Sequence, residues 1–322
     1  MDLEHLLGEA FLPASFPLPL DRPFTYRDAL REAGLSSREL HWLVTNGFLW
    51  RPVKGVYVAT PVPDSIDLRC AALRLVVPPD AVICDRHAGW LHGATMVLAP
   101  NEHIELAPIT VFLPADRGRL RNLLADSGER TFRSGDVTEL GGLRVTTPLR
   151  TAWDLGRSRW AERSLAAMDQ MLGLGSFTKQ ELSAGIEQFR GMRWVTTLRA
   201  MAPLTDGHAE SPPESVLRLR WLQCHLPTPT PQVEVRAGGR FLARLDVGNE
   251  ALRFGAEYDS DEWHTTPEQL AHDRGRRAAV EQATDWLVLP IRRENLFGPT
   301  QNAEALLRAA AAAARRREGR AA

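Results

Sequence analysis

Three of the carboxylates in residues 240–264, RFLARLDVGNEALRFGAEYDSDEWH, are spaced to meet: Asp246, Glu257 and Asp259. Apolar and polar residues alternate over much of 241–247 and 252–258, the period-2 pattern of half-buried strands. Gly248-Asn249 supplies turn chemistry between them. Asp246 falls near the end of the first strand. Glu257 and Asp259, two apart, share one face at the end of the second. A hairpin therefore brings the three acids together. Such hard oxygen ligands suit Mg²⁺ or Mn²⁺, which keep several waters and take a few carboxylates. His264 follows Trp263 at once and can reach the same place as a proton carrier. Taken singly, each acid is explained by solvation at a strand end, and His264 by surface packing. The conjunction points to chemistry, because an exposed hairpin does not need it.

The elements that must hold these residues read as helix, three strands, helix, strand. Ser211 as N-cap, Pro212 at the first position and Glu214 three residues on form a capping-box pattern. That explains Glu214 structurally, and the first helical turn can also aim it at the strand-end acids. A strand follows at 233–236, then the hairpin. Thr266 caps a basic helix over 267–283 carrying Arg274, Arg276 and Arg277, and the last strand is 286–291. An Ala-rich helix from 302 ends in a solvated Arg315-Arg316-Arg317 tail.

The N-terminal third has a different pattern. Residues 1–23 give a short helix and a proline-rich connector. Thr25 with Asp28, and Ser36 ahead of a helix over 37–46, mark two helix starts. Leu40 and Leu43 are the inner face of the second helix. Two short strands, 49–51 and 55–58, flank Pro52-Val53-Lys54. Helix, tight turn, helix and β-wing make a winged helix-turn-helix, whose second helix reads the major groove. Arg38, His41, Arg51 and Lys54 are its candidate DNA contacts. That helix holds one firm cation, fewer than strong DNA readers carry. A winged helix used for protein contact is the other reading.

Between them, residues 64–203 mix helices and strands. Helical 65–77 precedes a strand at 81–84, a short helix with His87 and His92, and strands at 110–113 and 143–146. Thr147-Pro148 then opens another helix. Two histidines five apart do not share a helical face, so no metal site is expected there. Arg150 and Asp154, four apart, are expected as a surface pair. Residues 203–213, PLTDGHAESPP, read as a loop or linker.

At 322 residues the chain is long enough for two or three domains, and 44% apolar with 25% charged is ordinary soluble composition. A net charge of −1 gives no global pull toward nucleic acid, so local patches must do that work. Cys70, Cys84 and Cys224 are scattered without metal or disulfide spacing. The acidic start MDLEHLLGEA is no secretory leader, and no apolar run reaches membrane length. These point to a cytoplasmic protein without membrane contact.

Over residues 212–312, Glu214, RLDVG with Asp246, AEYD with Glu257 and Asp259, and WH with His264 resemble a branch of the PD-(D/E)XK nuclease superfamily. It is the very-short-patch-repair-like branch, the small domain labelled DUF559. FTYRDALREAGLSS, GVYV, DRHAGWLHG and VTTPLRTAWDLG resemble AbiEi-type antitoxins, winged-helix autoregulators of type IV toxin–antitoxin systems. The expected fold is α+β: a winged helix over 1–63, an α/β middle domain over 64–205 and a restriction-endonuclease-like αβββαβ domain over 206–322. The expected activity is metal-dependent DNA phosphodiester hydrolysis. Asp246 and Glu257 hold Mg²⁺ or Mn²⁺, Asp259 is a third ligand or supports them, and the metal activates water. His264 serves as acid or base, and Arg274, Arg276 and Arg277 clamp phosphate. Two departures weigh against it. The third motif usually ends in Lys, here Asp259, and the following Gly is Ser260. His264 or Arg276 must then supply the missing charge. The alternative is a non-catalytic regulator or antitoxin with a degenerate nuclease fold, partnered by DNA and a cognate toxin protein.

Overall fold

The computed structural model describes residues 3, 6–105, 108–121, 124–259 and 267–321, with backbone alone at 267–274 and 318–321. Two capping boxes open the fold. Thr25 and Asp28 exchange backbone and side-chain hydrogen bonds, turning β1 (Phe24–Thr25) into α1 (Tyr26–Glu32). Ser36 and Glu39 repeat the arrangement ahead of α2 (Ser37–Thr45). Leu40 and Leu43, one turn apart, are buried as the helical period requires. β2 (Leu49–Val53) and β3 (Val56–Ala59) form the wing, and β1 adds to it in the order β1-β3-β2. Residues 13–23 do more than connect. Phe16 and Leu18 are buried in the winged-helix core beside Leu40 and Leu43. Prolines there prevent a regular element, yet the apolar side chains between them still gain by leaving water.

The chain divides into two units, Met1–Asp154 and Leu155–Ala322. The rest of the first is α3 (Ile66–Arg74), β4 (Val82–Ile83), α4 (Asp85–Leu91), β5 (Ile109–Leu113), β6 (Ala125–Glu129), β7 (Val137–Leu140), β8 (Leu143–Thr146) and the start of α5 (Pro148–Gly156). The five strands make one mixed sheet, β6-β5-β4-β8-β7, with β4–β8 and β5–β6 parallel. Cys70, Leu73, Ile83, Leu91, Val111 and Val145 share its core. His87 and His92 tie elements together. His87 Nδ1 accepts from the Thr110 N–H at 3.1 Å, and His92 Nε2 lies 2.7 Å from the Thr146 carbonyl.

The second unit begins with α6 (Ala161–Gly173), α7 (Lys179–Ala184) and α8 (Val195–Met201), followed by α9 (Pro212–Gln223). Ser211 caps α9 with Pro212 at its first position, as the sequence implies. β9 (Thr230–Ala237), β10 (Arg240–Asn249), β11 (Phe254–Asp259), α10 (Pro267–Ala283), β12 (Leu287–Arg292), α11 (Arg293–Leu296) and α12 (Ala303–Ala321) complete it. The sheet order is β12-β11-β10-β9. β9, β10 and β11 run antiparallel; β12 pairs parallel with β11, and α10 is the crossover that a parallel pair needs. One side carries Trp221 stacked on Phe254 at 4.8 Å, with Leu217 and Leu307 from α9 and α12. The expected linker is pinned instead of free. Asp169 on α6 accepts from Asp206 N–H at 2.8 Å and pairs with Arg218 on α9 at 2.7 Å, both side chains buried. Among the described residues no helix is long and apolar enough to cross a membrane.

Candidate functional site

β10 and β11 position the acids. Their ladder pairs Val247 with Ala256, Gly248 with Gly255 and Asn249 with Phe254. Gly248-Asn249 is therefore inside the ladder, and the chain reverses over residues 250–253. The two glycines are needed for close approach. A Cβ on Gly248 would lie 2.6 Å from Val233 Cγ1, and one on Gly255 would lie 2.4 Å from Leu245 Cδ1. Ala256 and Tyr258 belong to the core with α9 and α12. Alternation then places Glu257 and Asp259 on the opposite face, toward α10. Both are buried, 7% exposed.

Asp246, Glu257 and Asp259 meet in one cleft of about 340 Å³, which Arg244, Arg276 and Arg277 also line. Arg276 grips Glu257 with both Nη atoms, 2.9 Å to each carboxylate oxygen. Arg277 Nη1 lies 3.4 Å from Asp259 Oδ2 and 3.9 Å from Glu257 Oε2. Arg244 turns outward to Glu210 at 2.7 Å. Asp246 Oδ2 accepts the Tyr258 N–H at 2.6 Å, and among the described residues no arginine pairs with it. Burial first, then the negative charge of Glu214, push the Asp246 carboxyl up to about 7 against that hydrogen bond. Glu214 is thus near the acids, as the helix start allowed. Its own carboxylate accepts from Ser211, from the Glu210 N–H and from Gln232 at 2.7 Å. Gln232 holds φ 51° where its side chain makes that contact.

As arranged here, the three acids give most of their oxygens to partners other than a Mg²⁺ or Mn²⁺ ion. Both oxygens of Glu257 and Oδ2 of Asp259 face guanidiniums, and Oδ2 of Asp246 faces a backbone N–H. Among the described residues no three His, Cys, Asp or Glu side chains are arranged to hold a metal ion. His264 lies outside the described residues, as does the side chain of Arg274. The sequence offers Arg276 and Arg277 as phosphate contacts, and Arg276 also as the positive charge missing from the third motif. The structure gives both to the acids, a pairing across about 19 residues that no local spacing announces.

On the winged helix, Arg38 and His41 are exposed along α2, and Lys54 is exposed between β2 and β3. Arg51 is paired with Glu105 at 2.9 Å. The expected surface pair Arg150–Asp154 is instead buried, because Asp154 also takes Arg130 at 2.9 Å and Arg150 also takes Asp136. Arg130 in turn grips Asp85.

Two curated relatives from Mycobacterium tuberculosis, uncharacterized protein MT2308 of strain CDC 1551 and uncharacterized protein Rv2248 of strain H37Rv, are 29% identical over 264 residues. That span is 80% of this chain and 90% of each relative. The crystal structure of the Rv2827c protein from the same organism aligns with a TM-score of 0.33 at 15% identity, over 61% of this chain and 74% of that one. Residues 81–204, from the strand β4 through α8, match the family model of the AbiEi antitoxin C-terminal domain.

Proposed function

We propose that this protein is a DNA-binding transcriptional regulator of the antitoxin kind whose C-terminal nuclease-like domain does not cut DNA. The match of 81–204 to the AbiEi antitoxin C-terminal domain carries the reading. The winged helix supports it: α2 offers Arg38 and His41 to a groove, and Lys54 on the wing offers a phosphate contact. The pairing of Arg276 with Glu257 supports the non-cutting half, since it takes the oxygens that metal-assisted hydrolysis needs. A cognate toxin protein is the second partner this reading implies.

Fluorescence anisotropy against the duplex upstream of its own gene tests the DNA half. Arg38→Ala with Lys54→Ala should lower the slope of log K against log salt by about 2, since each phosphate left without its cation accounts for about 0.9. An unchanged slope would place the DNA surface elsewhere. Supercoiled plasmid incubated with Mg²⁺ or Mn²⁺ should stay intact. The convergence of Asp246, Glu257 and Asp259 in one cleft favours a second reading, a metal-dependent endonuclease. Nicking by the wild type that Asp246→Asn abolishes would establish that reading in place of the first.

A further inference from the structure

The strand-end acids of β10 and β11 pose a charge problem that nuclease-like folds solve with a divalent cation. Asp246, Glu257 and Asp259 bring three carboxylates into one cleft, two of them 7% exposed. Buried carboxylates at this density cannot all stay ionised without a counter-charge. Here the counter-charge comes from consecutive residues of one helix, Arg276 and Arg277 on α10.

The Arg276 contact is the decisive one. Two parallel bonds of 2.9 Å engage both oxygens of Glu257. A fork of this kind is the strongest geometry open to a guanidinium and a carboxylate. A divalent ion of the Mg²⁺ class needs oxygens at about 2.0–2.1 Å and cannot share them with that fork. We propose that the Arg276 guanidinium occupies the place of the cation, so that this acid cluster is a metal-free centre which loss of that one side chain converts into a cation site.

DNA binding by the winged helix is indifferent to what neutralises Glu257, so the metal-free centre stands apart from the DNA-binding half of the proposed function and rests on the same contact as its non-cutting half. The test uses the full chain and Mn²⁺ alone, followed by titration calorimetry and thermal melting. Wild type should give neither saturable heat nor a melting shift. Arg276→Gln, which keeps the length and loses charge and fork, should gain saturable binding at least about tenfold tighter than any wild-type signal. Arg276→Gln with Glu257→Gln should lose that gain. Saturable Mn²⁺ binding by the wild type that Asp246→Asn removes would overturn the inference. So would an Arg276→Gln protein with wild-type circular dichroism that ignores Mn²⁺. If Arg276→Gln does not fold, Arg276→Lys, which can hold only one carboxylate oxygen, takes its place with the same expected and overturning results. Duplex binding measured in parallel keeps this outcome distinct from the fate of the regulator reading.

Discussion

In Met1–Asp154, five charged side chains run as one continuous chain largely closed off from water: Asp85, Arg130, Asp154, Arg150, Asp136. Every acid in it meets a guanidinium. Arg130 lies 3.8 Å over the Phe112 ring and Arg150 lies 5.5 Å over Phe132, so apolar faces seal the charges. In Leu155–Ala322 the cluster at Asp246, Glu257 and Asp259 also recruits two arginines, but it opens into a cleft. One acid, Asp246, is left without a guanidinium among the described residues. Both clusters use the same residue types. The closed one is consistent at every contact and reads as architecture. The open one violates the rule of pairing at one position, and such violations concentrate at sites with a task beyond folding.

The largest expected effect is in the closed chain. Asp154→Ala removes the carboxylate that two arginines share, leaving Arg150, whose side chain is 3% exposed, with Asp136 and Arg130 with Asp85. Breaking a buried pair from one side costs about 3–5 kcal/mol. Urea unfolding should show that loss, and a loss below about 1 kcal/mol would break the comparison, since surface pairs cost no more.

The next effects are opposite in sign. Burial first, then Arg86, hold His87 down at about 4, below its ordinary 6.5. The unfolded chain therefore takes a proton that the folded one refuses between those values. Stability is complete above pH 6.5 and falls as pH drops toward 4, by about 3 kcal/mol in all. His87→Asn keeps an acceptor for the Thr110 N–H and should flatten this acid limb in a pH series of melting curves. A limb that survives the substitution would move its origin to another group.

Asp246 works the other way. Its folded value, about 7, exceeds the ordinary 3.8, so the folded chain keeps a proton that the unfolded chain releases. The favourable contribution is complete below pH 3.8 and is lost as pH rises through 7. Asp246→Asn should therefore stabilise at pH 8 by about 1–2 kcal/mol, with the gain shrinking toward pH 4. A destabilisation at pH 8 would mean that the carboxylate is paired after all and that the two clusters do not differ.

Much of this was legible in sequence because it is local. The caps at Thr25, Ser36 and Ser211 are three-residue signals, and Leu40 and Leu43 follow the helical period. The order of helix and strands from α9 to β12 also matches, with α10 over 267–283 as expected. What stayed hidden depends on partners distant in sequence. β6 reads ADSGE, with no alternation to mark it, and becomes a strand only by pairing with β5. Gly248-Asn249 looks like a turn, yet its glycine is selected by Val233 pressing from the next strand. Arg150 and Asp154 have the spacing of a surface pair, and only Arg130 and Asp136 reveal them as interior. In the candidate site, the convergence of the acids followed from strand parity. The seizure of Glu257 by Arg276 did not, because nothing in a basic helix tells phosphate from carboxylate.

The buried bond between Asp169 and Arg218 has a consequence for heredity. The stretch that matches a known family ends at 204, while its Asp169 takes its counter-ion from α9 at 218. A gene fragment cut at the family's edge would carry an interior carboxylate and leave its cation behind. For this protein, then, the segment that the family model matches is smaller than the segment that can be moved intact. Any exchange that moved the antitoxin-like part into a new context would need a neighbour able to present a positive charge at that one spot.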